Sequence, residues 1–235
     1  MAFTQEVKTT VKQRNGNRLR IPKEKYKVID WDTEVPKQAY FDEVRRISKN
    51  QIIFGVEYVD WQGLGEGRIK WNKLVPKGLS FKPYEMAYCS AIDYTLEIDL
   101  LWTGMNQAKS IKEPTVMQGN KKLNEKRIHP THKPRLLYQM LYERFCKPTD
   151  KILDTHLGSQ SSRIAANKAG LDFTGFEIDK DYFYFWQYCV EDPKCLGMDE
   201  VCKRRNGKTE KSCCIAVEVI TRSAESRSEE RRVGK

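Results

Sequence analysis

The stretch KILDTHLGSQSSRIAANKAGLDFTGFE, residues 151–177, constrains the fold more than any other part of the chain. Its pattern predicts a buried strand, a loop with Gly158 in a tight turn, a helix of small residues ending at Gly170, and a second strand from Phe173 to Glu177. A strand, a helix and a strand in this order form a βαβ unit. The loop of such a unit presents backbone N–H groups and a helix N-terminus to an anionic or polar ligand. We therefore predict an α/β domain with a ligand site at this loop.

The chain before this unit has helical and strand-like patterns in turn. Apolar residues at helical spacing after Pro36 predict a helix, and the run from Ile52 to Val56 predicts a buried strand. A second amphipathic helix is predicted after Pro134, and Asp179 is a suitable N-cap for a last one. Further short strands are expected at 68–74, 84–90 and 95–102. Residues 1–30 show no period and are expected to form a loop.

Charge and composition narrow the class of protein. The chain carries a formal charge of +10 and has a pI near 9.2, which favours a polyanionic partner without proving one. No segment approaches the roughly 18 apolar residues of a membrane span, so we expect a cytoplasmic protein with no membrane partner. Seven cysteines at irregular spacing indicate reduced thiols rather than a disulfide framework or a zinc site. We assign no metal.

Residues 104–128 are polar and have few apolar anchors, as an exposed loop would. Such a loop can lie on DNA through its cations, and a solvated insertion without a partner has equal weight on the sequence alone. The candidate DNA-binding residues are Lys109, Lys112, Lys121, Lys122 and Lys126.

A known family shares this order of motifs. The run HPTHKP at residues 129–134, a helix, the loop of residues 154–162 and the run GFEIDKDYF at 175–183 closely resemble the C-terminal half of the β-class DNA amino-methyltransferases. The resemblance covers roughly residues 36–186, and it is specific after His129 and diffuse before it. It implies a Rossmann-like, S-adenosylmethionine-dependent methyltransferase fold, with a largely parallel sheet flanked by helices, incomplete at its N-terminus.

The resemblance also implies a domain organisation. Residues 1–190 would be the methyltransferase domain, with the loop of 104–128 contacting double-stranded DNA and the cofactor-binding half at 129–188. Residues 191–235 are expected to be disordered or an artefactual tail, because they are highly charged and offer little apolar surface to bury.

Site residues follow from the resemblance, position by position. Thr131 and Lys133 would lie against the cofactor, Glu177 would bind its ribose, and Asp179 would support the loop. The residues expected at the methionine end of S-adenosylmethionine are Asp154, His156, Gly158, Ser159 and Ser161.

Three departures from the family stand out. His132 stands where the family usually has Gln, and Gln160 stands where it has the second Gly of its loop. If position 160 needs a positive φ, a side chain there costs roughly 1 kcal/mol or more and can crowd the ligand. The DPPY-type tetrad that holds the target amine is absent, so we assign no catalytic residue and interpret the chain as truncated at its N-terminus.

The sequence therefore predicts an enzyme that transfers a methyl group from S-adenosylmethionine to adenine N6 or cytosine N4 in DNA, with doubtful activity in this chain. One alternative is a non-catalytic DNA-binding remnant or partner protein, which the missing tetrad and Gln160 favour. Another is a nicotinamide-dependent oxidoreductase, which the HPTHKP run and the lack of a three-glycine fingerprint disfavour.

Overall fold

The structure is a computed structural model, and it describes only part of the chain. Its described residues are 34–76, 82–117, 119–127, 129, 131–180 and 182, together with the backbone of three strands at 10–12, 18–20 and 214–219. The last predicted helix, after Asp179, lies mostly outside these residues.

A seven-stranded sheet forms the centre of the described structure. In chain order, its strands are β3 (Asn50–Phe54), β4 (Arg68–Asn72), β5 (Tyr84–Cys89), β6 (Thr95–Asp99), β9 (Lys151–Asp154), β10 (Asp172–Gly175) and β11 (Cys214–Val219). In space the order is β10-β9-β11-β3-β5-β4-β6. Strand β5 is antiparallel to both its neighbours, and the other four pairings are parallel. The predicted α/β fold is confirmed, with a sheet that is mixed rather than parallel throughout.

Helices cover both faces of the sheet. Helix α1 (Gln38–Ile47) packs Phe41 against Ile53 and Trp61 on one face. Helix α2 (Arg135–Phe145) packs Leu137 and Leu141 against the opposite face. Helix α3 (Ser161–Ala169) lies beside α2 and buries Ala165 and Ala166 with Ile152 of β9. The helices predicted after Pro36 and Pro134 are confirmed. Each has an apolar stripe at helical spacing, and this stripe packs against the sheet.

Three strands differ from the expected organisation. Strands β1 (Thr10–Lys12) and β2 (Arg18–Arg20) pair antiparallel within the segment expected to be a loop. The sequence between them contains Asn15-Gly16, a dipeptide typical of hairpin turns. Strand β11 lies between β9 and β3, in the segment expected to be disordered. Its sequence CIAVEV is rich in residues with high β-propensity, which explains why this run can pair in the sheet.

The remaining short elements lie at the loops. Strands β7 (Trp102–Thr103) and β8 (Asn106–Gln107) form a small hairpin, and Lys121–Leu123 forms one turn of 3₁₀ helix. Another such turn spans Val56–Tyr58. None of the described helices is long and apolar enough to cross a membrane.

Candidate functional site

The loop between β9 and α3 makes a tight, left-handed turn at the C-terminal end of the parallel strands. Gly158 has φ +49° and Gln160 has φ +57°. The turn is closed by the Gln160 N–H, which donates to the Leu157 carbonyl at 2.8 Å. A Cβ at position 158 would lie 3.4 Å from the His129 ring. Position 160 therefore does need the positive φ that makes a side chain costly, and the glycine at 158 allows the close approach of the HPTHKP run.

Glu177, just after β10, is bonded to this turn. Its carboxylate accepts a hydrogen bond of 2.6 Å from the Gly158 backbone N–H and one of 2.9 Å from the Asp179 N–H. Burial raises the pKa of Glu177, and the hydrogen bonds from the backbone oppose that rise. Asp179 accepts from the Tyr182 N–H at 3.4 Å, as an N-cap would. Glu177 and Asp179 thus lie together at the turn.

Asp154, the last residue of β9, lies beneath the turn and is 1% exposed. Its carboxylate accepts from the His156 N–H at 3.0 Å and from the Ser162 hydroxyl. Burial raises the pKa of Asp154 to about 6, against the lowering effect of these two hydrogen bonds. The structure therefore brings Asp154, His156 and Glu177 around one loop, and adds Ser162, which sequence reasoning missed.

The serines of the loop contact the HPTHKP run. The Ser159 and Ser161 hydroxyls are 3.0 Å apart, and the Ser161 hydroxyl lies 3.4 Å from His132 Nε2. The His132 ring stacks on Trp102 with a centroid distance of 5.5 Å. Beside it, the Thr131 hydroxyl lies 2.9 Å from His129 Nδ1. Thr131 therefore reaches the turn through His129, whose ring packs against Gly158.

Lys133 forms an ion pair with a carboxylate of the sheet. Its ammonium, 5% exposed, lies 3.2 Å from Glu85 on β5, and Lys73 contacts the other oxygen of the same carboxylate at 2.5 Å. Lys133 also lies 4.8 Å from the centroid of the Phe54 ring. Burial would raise the pKa of Glu85, but the ammonium groups of Lys133 and Lys73 hold it at about 2. A buried ammonium needs a counter-charge, so Lys133 ties the HPTHKP run to the sheet.

The opposite side of the loop is held by α1. The Tyr40 hydroxyl donates to Thr155 Oγ1 at 2.6 Å, and its ring meets His156 edge-on at 5.7 Å. The sequence analysis assigned neither Tyr40 nor Thr155 to the site. A single residue on an amphipathic stripe carries no local signal that distinguishes it from a core residue.

The lysines assigned to DNA fall into two groups. Lys112, Lys121, Lys122 and Lys126 have exposed side chains. Lys109 is partly buried and donates to the Asn124 side chain, and burial lowers the pKa of Lys109. Lys109 therefore stabilises the loop of residues 104–127, whereas the other four side chains are exposed on its surface.

Glu125 joins this loop to α2 and was also missed. Its carboxylate lies 3.3 Å from Arg135 Nε and 3.5 Å from His132 Nε2. The Arg135 backbone N–H donates to it at 3.2 Å. The sequence shows Glu125 as one charged residue in a polar loop, with nothing to mark it as the loop's anchor.

Together these contacts make a site suited to a polar, partly anionic ligand. Gln160 at the N-cap of α3 makes no side-chain hydrogen bond to the helix, which leaves the first N–H groups of α3 to a ligand. Carboxylates at Asp154 and Glu177 lie nearby and can accept hydrogen bonds from ammonium or hydroxyl groups. Within the described part of the chain, no three His, Cys, Asp or Glu side chains group as metal ligands.

Comparison with known proteins gives a family match and a likeness to solved structures. The family model N6_N4_Mtase, described as DNA methylase, matches residues 4–187 of this chain. The chain is also similar to a solved structure titled "crystal structure of M1.HpyAVI-SAM complex", at 18% identity and a TM-score of 0.42, over 65% of this chain and 84% of that one. The family match, rather than this weaker structural likeness, carries the assignment.

Proposed function

The chain belongs to the DNA methylase family, and on that premise we propose that it binds S-adenosylmethionine at the loop between β9 and α3. The family depends on S-adenosylmethionine, in agreement with the cofactor predicted from the sequence. We further propose that the reaction is methyl transfer to an exocyclic amine of DNA, either adenine N6 or cytosine N4.

The turn at Gly158 is the observation that carries this proposal. Glu177 is fixed by the Gly158 N–H, at the end of the second parallel strand, where a carboxylate can accept hydrogen bonds from ribose hydroxyls. The uncapped first turn of α3 suits the carboxylate of a methionine group, and Asp154, buried beneath the turn, adds negative charge that favours its ammonium. These three features match the three polar ends of S-adenosylmethionine.

Methyl transfer itself needs more than cofactor binding. The sulfonium of S-adenosylmethionine supplies the methyl group, and the target base has to leave the duplex to reach it. The exocyclic amine is a poor nucleophile, because its lone pair is delocalised into the ring, so an acceptor has to hold its N–H groups. The family's DPPY-type tetrad serves this purpose and is absent from the sequence. We propose that this chain alone binds its cofactor weakly and does not turn over.

Double-stranded DNA is the proposed partner. The support is the net charge of +10 and the exposed Lys112, Lys121, Lys122 and Lys126 on the loop of residues 104–127, because cations on an exposed loop gain free energy from phosphates by releasing counterions. The cytoplasmic setting and a bacterial or phage restriction-modification system belong to the same proposal.

A second candidate function is DNA binding without catalysis. It is favoured by Gln160, a residue that is 4% exposed and lies at the turn with a positive φ, where a side chain in place of glycine can crowd the cofactor. This protein would bind duplex DNA and leave S-adenosylmethionine unbound.

Calorimetric titration with S-adenosylmethionine tests the choice. We expect saturable binding by the chain, weakened about tenfold or more in Glu177→Ala, since a hydrogen bond to a charged group is worth about 1.5–3 kcal/mol. Glu177→Gln keeps one acceptor and should fall between the two. Glu66→Ala changes an exposed glutamate and serves as the control.

Three results would change the conclusion. No binding by the parent chain, with DNA still bound, supports the second function. Equal loss in Glu66→Ala and Glu177→Ala contradicts ribose recognition by Glu177. Binding of a nicotinamide dinucleotide in place of S-adenosylmethionine overturns the proposal altogether.

A further inference from the structure

We propose that Met105 and Leu123 form an apolar wedge that enters the base stack of duplex DNA. This inference rests on the proposed function, since it requires DNA as the partner. It assigns a task to two residues that the family match leaves without one.

Both side chains are unusually exposed for their type. Met105 is 64% exposed and Leu123 is 57% exposed, and both lie on the loop of residues 104–127. Val116 and Met117 on the same loop are also exposed, at 47% and 55%. Several exposed apolar side chains on one loop make that loop a candidate interaction site.

The two residues are held together by the amide of Asn124. Its Nδ2 donates to the Met105 carbonyl at 2.8 Å, and Leu123 is its direct neighbour in the chain. Lys109 contacts the other end of the same amide. The Met105 backbone is therefore bonded to the residue that follows Leu123, at one end of the loop.

The buried side chain of Gln107 joins the two ends of this loop. The Gln107 amide, in a residue 4% exposed, donates to the Gly104 carbonyl at 2.9 Å and to the Glu125 carbonyl at 3.0 Å. It also accepts from the Glu125 N–H at 2.8 Å. A wedge needs a rigid base if it is to push into a stack, and this buried amide provides one.

The charge around the pair selects nucleic acid as the occupant. Lys121 and Lys122 directly precede Leu123, Lys126 follows shortly after, and all three are exposed. Apolar side chains flanked by cations match a duplex, whose phosphates take the cations while Met or Leu inserts between base steps.

The wedge is also connected to the cofactor loop. Glu125 lies 3.5 Å from His132, which lies 3.4 Å from the Ser161 hydroxyl at the start of α3. Only a few contacts thus separate the proposed wedge from the site that a flipped base would have to reach. A side chain that occupies the gap left by that base would lower the cost of flipping.

A binding comparison between two duplexes tests the proposal. One duplex is intact and the other, of the same mixed sequence, carries a single abasic site that mimics the gap. We expect the full chain to prefer the abasic duplex by about tenfold, because the wedge fills a gap without unstacking a base. Met105→Ala/Leu123→Ala should lose that preference and keep its affinity for the intact duplex.

Two further variants give the contrast. Val35→Ala/Ile47→Ala alters two apolar residues on and beside α1 that are each 38% exposed, and should keep the preference. Lys121→Ala/Lys122→Ala should weaken binding to both duplexes equally and lower the salt slope by about 2.

The outcomes separate the inference from the proposed function. Binding to both duplexes without preference, or a preference that survives Met105→Ala/Leu123→Ala, overturns the wedge and leaves the proposed function standing. Binding to neither duplex at low salt overturns DNA as the partner, and the wedge with it.

Discussion

The Tyr40 hydroxyl donates a 2.6 Å hydrogen bond to Oγ1 of Thr155, a residue 115 positions later in the chain. Tyr40 belongs to α1 and Thr155 is the first residue after β9. The bond therefore joins a helix on one face of the sheet to the loop that we propose binds the cofactor. The edge-on contact of Tyr40 with His156 extends the same link by one residue.

Removing this hydroxyl should loosen the loop. We expect Tyr40→Phe to lower the free energy of unfolding by about 1 kcal/mol, as a typical hydrogen bond contributes, and to speed hydrogen exchange of the backbone amides in residues 155–160. Urea unfolding and hydrogen exchange measure the two effects. Tyr94→Phe removes a hydroxyl bonded to Arg144 at the surface and should do neither. Equal exchange rates in the two variants would argue against the link.

Asp154 should make stability depend on pH. Burial raises the pKa of Asp154 from 3.8 to about 6, so the folded protein holds more protons than the unfolded chain between these values. Its contribution therefore favours folding at low pH and is lost as the pH rises through about 6, by roughly 3 kcal/mol at about 1.4 kcal/mol per pKa unit.

The change Asp154→Asn removes this titration and keeps an acceptor for the His156 N–H. As the pH rises from 4 to 7, we expect the parent to lose roughly 3 kcal/mol in its free energy of unfolding relative to Asp154→Asn. Chemical unfolding at several pH values measures it. Parallel curves for the two proteins would show that Asp154 does not titrate in this window.

Local pattern was sufficient to predict the elements that enclose the site. The βαβ unit of β9, α3 and β10 could be predicted because Gly158, Gly170 and the apolar runs lie within one short stretch. The place of β11 between β9 and β3 could not, since strand pairing over a long separation depends on which edges are available rather than on the strand's own residues. The antiparallel placing of β5, which makes the sheet mixed, also escaped prediction, because the strand's own residues do not specify the direction in which it pairs.

The site residues also divide into those that the local sequence predicts and those that it does not. Asp154, Gly158 and Glu177 belong to one βαβ unit, in which the ends of two adjacent parallel strands lie side by side, so their approach could be predicted. Glu85 and Glu125 lie on separate elements, and only the folded chain brings them to Lys133 and Arg135. A buried cation requires some acceptor, but the sequence offers many carboxylates and does not select among them.

The ion pair of Lys133 with Glu85 should be one of the most sensitive points of the fold. Glu85→Gln leaves a buried ammonium without its counter-charge, and we expect a loss of roughly 3 kcal/mol in the free energy of unfolding. The pair's contribution is present above pH 4, and it is lost as the pH falls towards the Glu85 pKa of about 2. Urea unfolding at neutral pH measures the expected loss in the free energy of unfolding.

Two further variants test whether the buried charge causes this loss of stability. Glu97→Gln breaks an exposed pair with Lys70, with the glutamate 56% exposed, and should cost less than about 1 kcal/mol. Glu85→Gln/Lys133→Met removes the more buried of the two ammonium groups that face Glu85 and should recover part of the stability, since Lys73 still loses the same carboxylate. If the double variant is as unstable as Glu85→Gln, the buried charge of Lys133 is not the cause of the loss.

Gln160 offers a direct test of whether the departure from glycine weakens cofactor binding. It and Leu74 are the two residues other than glycine with positive φ in the described chain, at +57° and +55°. Gln160→Gly and Leu74→Gly should each relieve roughly 1 kcal/mol of backbone strain. Only Gln160→Gly also empties the turn between Gly158 and α3, so it alone should tighten S-adenosylmethionine binding in a calorimetric titration. Equal affinity in both variants would mean that the Gln160 side chain does not crowd the ligand, and the main support for the non-catalytic alternative would be lost.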